Sequence, residues 1–329
     1  MIHWAPRFDG RGTAENNRPR PLAWVRSCAG EECLFNPLPR CPMADSPLLT
    51  MTLPGGAVFE TPCVENTRII HDEIFVGKVY EDCGIDYSDG DTILDVGANL
   101  GLFVLWLNTR LTRGTIHAFE PVPAIFAGLE RNVNRHNRLN VHLHNVGASA
   151  RDEEVDFTFY PLTSSSSSRY PLDSAAAHAD SRRFILRKLA DGGGWRSLAV
   201  RLLPRPARQA WAESIRRHYQ RPETVSCHLI RLSDVIDAHR LTRIDLLKVD
   251  VEGAEFECLE GIEARHWPLV RQVVIEVHDG EDACTRMEQI LGGHGFATER
   301  RHPSPDVFHR HYLVYARRPQ NAAARAGRE

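Results

Sequence analysis

Carboxylates close three short apolar runs of this 329-residue chain, and each stands beside a residue that turns the backbone. Residues 91–101 read Asp-Thr-Ile-Leu-Asp95-Val-Gly97-Ala-Asn99-Leu-Gly101. Residues 115–121 read Thr-Ile-His-Ala-Phe119-Glu120-Pro, and residues 246–255 read Leu-Leu-Lys248-Val-Asp250-Val-Glu252-Gly253-Ala-Glu255. An apolar run that ends in an acid and breaks into glycines outlines a buried parallel strand, a tight turn and the helix behind it. Acids gathered at the carboxyl ends of such strands can bind the polar groups of a nucleotide-like ligand.

The first two runs discriminate between ligands. Gly97 and Gly101 let the backbone approach a ligand where a Cβ would collide, with Asn99 between them. Their spacing is not the G-x-G-x-x-G of a dinucleotide site, and an acid two residues before the first glycine would repel a pyrophosphate. Asp95 suits an ammonium group instead, and Glu120 stands where a ribose-binding acid belongs. A nucleoside that is also an amino acid fits this layout, and S-adenosylmethionine (SAM) is such a ligand. Phe119 and Asn145, at the ends of the second and third strands, are candidates for adenine contact.

The third run supplies candidates for chemistry. Methyl transfer from a sulfonium is an in-line displacement, so the acceptor must be held aligned and, if it is an alcohol, relieved of its proton. Asp250 and Glu252 end strand four, while Glu276, His278 and Asp279 end strand five. Asp250 follows an apolar run directly and would be desolvated there without a purpose. Lys248 shares its face and can pair within the sheet layer. His278 is the natural proton acceptor near neutral pH. The catalytic set is therefore Asp250, Glu252 and His278, and it includes no metal ion.

Alternating strands and helices must position these groups. Strands are expected at 92–96, 115–119, 140–146, 243–250 and 270–277, with helices at about 100–110 and 122–137. An extra strand spans 155–160, and two closing strands lie near 296–300 and 311–316. The fold class is α/β and Rossmann-like, with helices on both faces of a mostly parallel seven-stranded sheet and an antiparallel C-terminal hairpin. Ahead of this expected SAM-binding domain (91–318), residues 48–90 are expected to form a cap. Met51 to Phe59 reads as a hairpin turned at Pro54-Gly55-Gly56, and Glu65 to Tyr80 as one helix. Residues 1–47, rich in proline and arginine, read as a disordered or mis-annotated extension with Met43 as an alternative start, and 319–329 as a disordered tail.

Residues 163–222 interrupt the pattern with a serine run, Ser164 to Ser168, and then eleven basic residues between 181 and 221, opposed only by Asp191 and Glu213. An insertion there would cover the carboxyl edge of the sheet, as a lid, a partner surface or a solvated excursion. The whole-chain net charge of −3 gives no argument for nucleic acid. No apolar run is long enough to span a bilayer and no signal-peptide core opens the chain, so a cytoplasmic location is expected. Eight cysteines without a C-x-x-C pair read as free thiols.

Together, Asp95-Val-Gly-Ala-Asn-Leu-Gly101, Phe119-Glu120-Pro121 and Leu247-Lys-Val-Asp250-Val-Glu252-Gly253-Ala-Glu255 resemble the FkbM family of SAM-dependent methyltransferases. Glu73-Ile-Phe-x-x-x-x-Tyr80 followed by Gly84-Ile85 looks like members from polyketide and nonribosomal peptide pathways. The resemblance covers about 48–316. It implies methyl transfer to a hydroxyl oxygen of a small molecule or sugar, free or tethered to an acyl or peptidyl carrier protein. The competing readings are an NAD(P)-dependent oxidoreductase on the same sheet and a non-catalytic SAM-binding protein. A base-methylating enzyme would carry Asn/Asp-Pro-Pro-aromatic where this chain has Asp250-Val-Glu-Gly.

Overall fold

The computed structural model describes residues 48–170, 174–191, 202–302 and 311–319, so the expected 1–47 extension, Met43 and the tail beyond 319 lie outside the described residues. The cap begins with a hairpin of β1 (Leu49–Thr52) and β2 (Val58–Thr61), turned at Gly55 and Gly56, both at positive φ. Helix α1 (Val64–His71) follows, with the Cys63 thiol accepting from the Asn66 amide. The single helix expected from Glu65 to Tyr80 is broken. It loosens into a π turn over Asp72–Val76, where a Cβ on Gly77 would lie 2.7 Å from the Glu73 carbonyl oxygen. Such turns re-aim side chains out of helical register, here those of Glu73 and Tyr80.

The core then alternates β3 (Asp91–Val96), α2 (Leu102–Leu107), β4 (Gly114–Phe119), α3 (Pro123–His136) and β5 (Asn140–His144). Next come β6 (Gly147–Ala148), β7 (Glu153–Phe159), α4 (Ala175–Asp191), α5 (Arg205–Tyr219), β8 (Glu223–Ile230) and α6 (Leu232–Ala238). The chain closes with β9 (Leu246–Val249), α7 (Glu255–Glu260), β10 (Gln272–Val277), α8 (Glu281–Gly293), β11 (Ala297–Arg301) and β12 (Tyr312–Arg317). Seven strands form one sheet in the order β11-β12-β10-β9-β3-β4-β5. Strands β5, β4, β3, β9 and β10 run parallel, and β12 inserts antiparallel between β10 and β11. This is the class I methyltransferase arrangement, closing hairpin included.

Both faces are covered because β3, β4 and β9 are apolar on both. Ile93, Ile116 and Leu246 pack with Phe103, Val104, Ile125 and Leu129 on one side. Leu94, Val96 and Phe119 pack with Leu232, Ile236, Leu259 and Met287 on the other. Leu129 is fully buried, so Leu129→Ala would cost about 2–5 kcal/mol. Among the described residues no helix is long and apolar enough to cross a membrane. The five described cysteines are free thiols.

The extra strand expected at 155–160 is β7, and its partner β8 went unread in the sequence. The two pair antiparallel over Glu153–Phe159, with β6 beside β8, as a separate three-stranded sheet. The insertion is thus the elaborated turn of a hairpin. Its helices α4 and α5 are tied by Glu213, which accepts from Arg182 (3.1 Å), Arg216 (2.7 Å) and Arg217 (3.0 Å). Arg183 pairs with Asp180.

Candidate active site

Strand β3 delivers its loop to the centre of the sheet's carboxyl edge. Gly97 sits at φ +83°, and a Cβ there would fall 1.8 Å from the Asp250 carbonyl oxygen. A Cβ on Gly101 would meet Leu129 Cδ1 at 2.8 Å. Both glycines therefore let the loop close on the protein itself as well as on a ligand. The amides of Gly97 and Ala98 donate to the Phe119 carbonyl. Asn99, at φ +48°, accepts from the Leu100 amide, while its own amide donates to Glu120 Oε2 at 3.1 Å.

Glu120 also accepts from the Val122 amide at 2.9 Å and is 5% exposed. Burial pushes its pKa up to about 7 against these two amides. Asn145, exposed after β5, donates to the carbonyls of Glu120 and Pro121 and so fixes that turn. Phe119 is fully buried and stacks on His144 at 4.6 Å, so its ring lies in the core and its carbonyl serves the loop. Asp95 is likewise buried. Lys248, its register partner on β9, reaches Asp95 Oδ1 at 2.9 Å and donates to the Gly97 carbonyl at 3.1 Å, yet neither Asp95 oxygen makes a well-formed hydrogen bond.

The ends of β9 and β10 bring the catalytic candidates together. Asp250 lies 3.9 Å from Lys248 Nζ. Glu252 takes positive φ (+53°) ahead of Gly253, which turns its carboxylate toward His278 Nε2 at 3.3 Å. His278 Nδ1 donates to Glu255 Oε1 at 2.7 Å, and that oxygen also accepts from the Gly253 amide. Glu276 lies 3.7 Å from His278 Nε2 and 3.6 Å from His311 Nδ1. Glu255, which as a sequence reads as a favourable helix start, is thus the residue that orients the imidazole. Glu73, from the broken helix, faces the same cluster.

Crowded carboxylates with little solvent set the electrostatics. Burial and then Glu276 raise Asp250 to about 6, with Lys248 and His278 opposing. Burial raises Glu252 to about 8, and burial together with Glu276 and Asp250 raises Glu73 to about 8. Burial opposes charge on His278, but Glu252, Glu255 and Glu276 outweigh it and hold its pKa well above the ordinary imidazole value. These directions favour the charged form of His278 and leave Asp250 as the candidate proton acceptor. Ligand atoms of Asp250, Glu252 and His278 lie within 4.8 Å of one another, close enough to surround a divalent cation, but Lys248 and His278 already supply positive charge.

The serine run is ordered and spans this site. Ser164 Oγ donates to Asn99 Oδ1 at 3.1 Å, and Ser168 Oγ to the Glu252 carbonyl at 2.5 Å. Tyr170 reaches Glu257 at 2.5 Å. Both serines are buried. One strap thus touches the ligand loop and the catalytic turn, which a low-complexity reading could not reveal.

Residues 95–298 match the family model of the methyltransferase FkbM domain. The chain is 34% identical over 247 residues to the 31-O-demethyl-FK506 methyltransferase FkbM of Streptomyces tacrolimicus, covering 75% of this chain and 88% of that one. It is 30% identical to Methyltransferase 1 of Beauveria bassiana, over 80% of this chain and 94% of the other. A match of 34% identity to the AMB antimetabolite synthetase AmbE of Pseudomonas aeruginosa covers 87% of this chain but 13% of that far longer protein. The crystal structure of a methyltransferase FkbM from Methylobacillus flagellatus aligns at TM-score 0.40 and 17% identity, over 72% of this chain and 46% of the other.

Proposed function

This chain belongs to the FkbM family of methyltransferases, and we propose that it carries a methyl group from SAM to a hydroxyl oxygen of a small molecule. The observation that carries this reading is the contact between the two acidic sites. The Gly97 turn abuts the Asp250 carbonyl, and the Asp250 amide donates to the Val96 carbonyl at 3.0 Å. The ligand loop and the proton acceptor are therefore neighbours.

The residues present fit SAM. Glu120, fixed by two amides, suits ribose hydroxyls, and the buried oxygens of Asp95 lack well-formed hydrogen bonds beside the Gly97 to Gly101 loop. SAM, when bound, supplies a methyl carbon made electrophilic by its sulfonium. Asp250 would take the acceptor's hydroxyl proton, and its pKa near 6 leaves it ionised at neutral pH. His278, held by Glu255, would offset the charge of Glu276 beside it.

The oxygen acceptor is supported by the relative whose name places its methyl on O-31. The match within an antimetabolite synthetase supports a small-molecule acceptor, free or tethered to a carrier protein. The exposed Arg205 and Arg221 flank α5, where they would favour an anionic acceptor or carrier. Calorimetry with SAM and NAD tests the ligand, with micromolar-range SAM binding and none for NAD expected. Glu120→Ala should weaken SAM by about 1.5–3 kcal/mol, the worth of a hydrogen bond to a charged group. Methyl-labelled SAM offered with candidate alcohols, followed by mass spectrometry, tests the acceptor. Binding of NAD in place of SAM would overturn the proposal.

A further inference from the structure

A second group of ligating side chains lies on one face of β4 and β5, at the edge of the sheet. Strands β4 and β5 place His117 opposite His142 and Phe119 opposite His144, and the period of two puts all four rings on one face. His117 stacks on His142 at 4.6 Å, and its ring is nearly parallel to that of His144 at 5.4 Å. His239, the residue that ends α6, stands edge-on over them, with centroids at 4.6, 5.1 and 5.5 Å from His117, His142 and His144. These residues are scattered in the sequence, and only strand register and the α6 crossing bring them together.

We propose that His117, His144 and His239 form a zinc site that staples the edge strand β5 to helix α6. The distances carry it. Zinc bonded to nitrogen at 2.0–2.1 Å in a tetrahedron holds its donors about 3.3–3.4 Å apart. His117 Nδ1 and His144 Nε2 already stand 3.2 Å apart, and one ring nitrogen from each of the three histidines lies within 4.8 Å of the others. The donor set is three imidazoles without thiolate or carboxylate, which suits zinc and its late first-row neighbours over calcium or magnesium. His239 is exposed, so a fourth position faces water.

The surroundings favour the neutral, ligating form of imidazole. Burial and then the neighbouring histidines push His117 down to about 3, and burial with His239 and His142 pushes His144 down to about 4. Zinc then displaces little protonated imidazole on binding. The alternative arrangement is a single N–H···N hydrogen bond between His117 and His144, which needs no contribution from His239. That difference decides the test.

Full-length protein stripped of metal would be titrated with zinc chloride and, in parallel, cobalt(II), followed by equilibrium dialysis and thermal melting. One equivalent of zinc should bind with a Kd below about 1 μM. At about 100 times that Kd the Tm should rise by about 5 °C. Losing an outer-shell partner costs 10–100-fold in metal affinity, so losing a ligand in His239→Ala should cost at least about 100-fold. His144→Gln should behave likewise. His239 is exposed, so its variant should melt like the metal-free parent. His278→Ala should bind zinc as the parent does, which separates this site from the strand-end cluster. Cobalt should give a visible tetrahedral spectrum without a thiolate charge-transfer band. The proposal is overturned if the parent binds no zinc in this range, if His239→Ala and His144→Gln bind unchanged, or if cobalt shows thiolate ligation.

Discussion

Two groups of histidines in this protein stand in opposite surroundings. His278 faces Glu252, Glu255 and Glu276 and is held as a cation. His117 and His144 face His142 and His239, and are held neutral. His117 is buried and the His278 side chain is 8% exposed, so burial alone does not decide the protonation state of an imidazole. The sign of its neighbours does. On the two proposals the contrast corresponds to different work: proton transfer at the ends of β9 and β10, and lone-pair donation at the sheet edge.

The largest expected effect tests whether chemistry is confined to the first group. Asp250→Asn removes the proposed proton acceptor while keeping its shape, and should lower kcat by about 10²–10⁴-fold. His239→Ala, in the second group, should leave kcat within about twofold, as expected of a surface substitution away from the site. Steady-state kinetics with SAM and the unmethylated acceptor would read both. An equal loss in the two variants would mean that the clusters are not independent.

A smaller effect sharpens the role of the His278 charge. Asp250 must be ionised to act, so the rate should rise with pH through about 6, where burial and Glu276 have placed its pKa. The His278 cation lowers that value, so its removal in His278→Gln should carry the acid limb to higher pH. At pH 7 kcat would fall by about 10–100-fold and recover in part as the pH is raised. If the limb stayed in place while kcat fell, the His278 charge would not be what sets the Asp250 pKa.

What made these groups visible or invisible in the sequence follows from their geometry. Strands β3, β4, β9 and β10 are buried and end in acids and glycines, so their runs stand out. Strand β8 alternates polar residues directly after the basic insertion and gave no such signal. Glu73 and Tyr80 reach the site only because the helix breaks into a π turn, which periodicity cannot show. Ser164 and Ser168 are short polar residues whose value lies in single contacts to Asn99 and Glu252. Asp95 was legible as a strand-end acid, but its pairing with Lys248 depends on the β3–β9 register. Gathering His117, His144 and His239 needs two strands in register and a helix end, so no local pattern predicts it.

Glu120 extends the comparison to a carboxylate with no cation as close as those around Asp95. Burial has raised it to about 7, and ribose hydroxyls donate best to its ionised form. SAM affinity should therefore weaken as the pH falls below 7, by up to about tenfold over one unit. Glu120→Gln should bind more weakly at pH 8 and lose that dependence. Calorimetry at pH 6, 7 and 8 would show it, and a flat profile for the parent would mean that Glu120 is ionised throughout the range.

Chelation should have the smallest effect on catalysis and separates the two groups most cleanly. Zinc held by His117, His144 and His239 would stabilise the fold by mass action, so EDTA should lower Tm by about 5 °C. On the proposed function, Lys248 and His278 supply the positive charge beside the strand-end carboxylates. EDTA should therefore change kcat at 25 °C by less than about twofold, since a loss of staple stability leaves the folded population nearly complete. Magnesium added back should do nothing. The opposite result has a definite meaning: activity lost to EDTA and restored by magnesium would place a divalent ion among Asp250, Glu252 and His278, whose ligand atoms are close enough to share one. His278 would then have to be neutral, and the contrast in charge between the two groups of histidines would disappear.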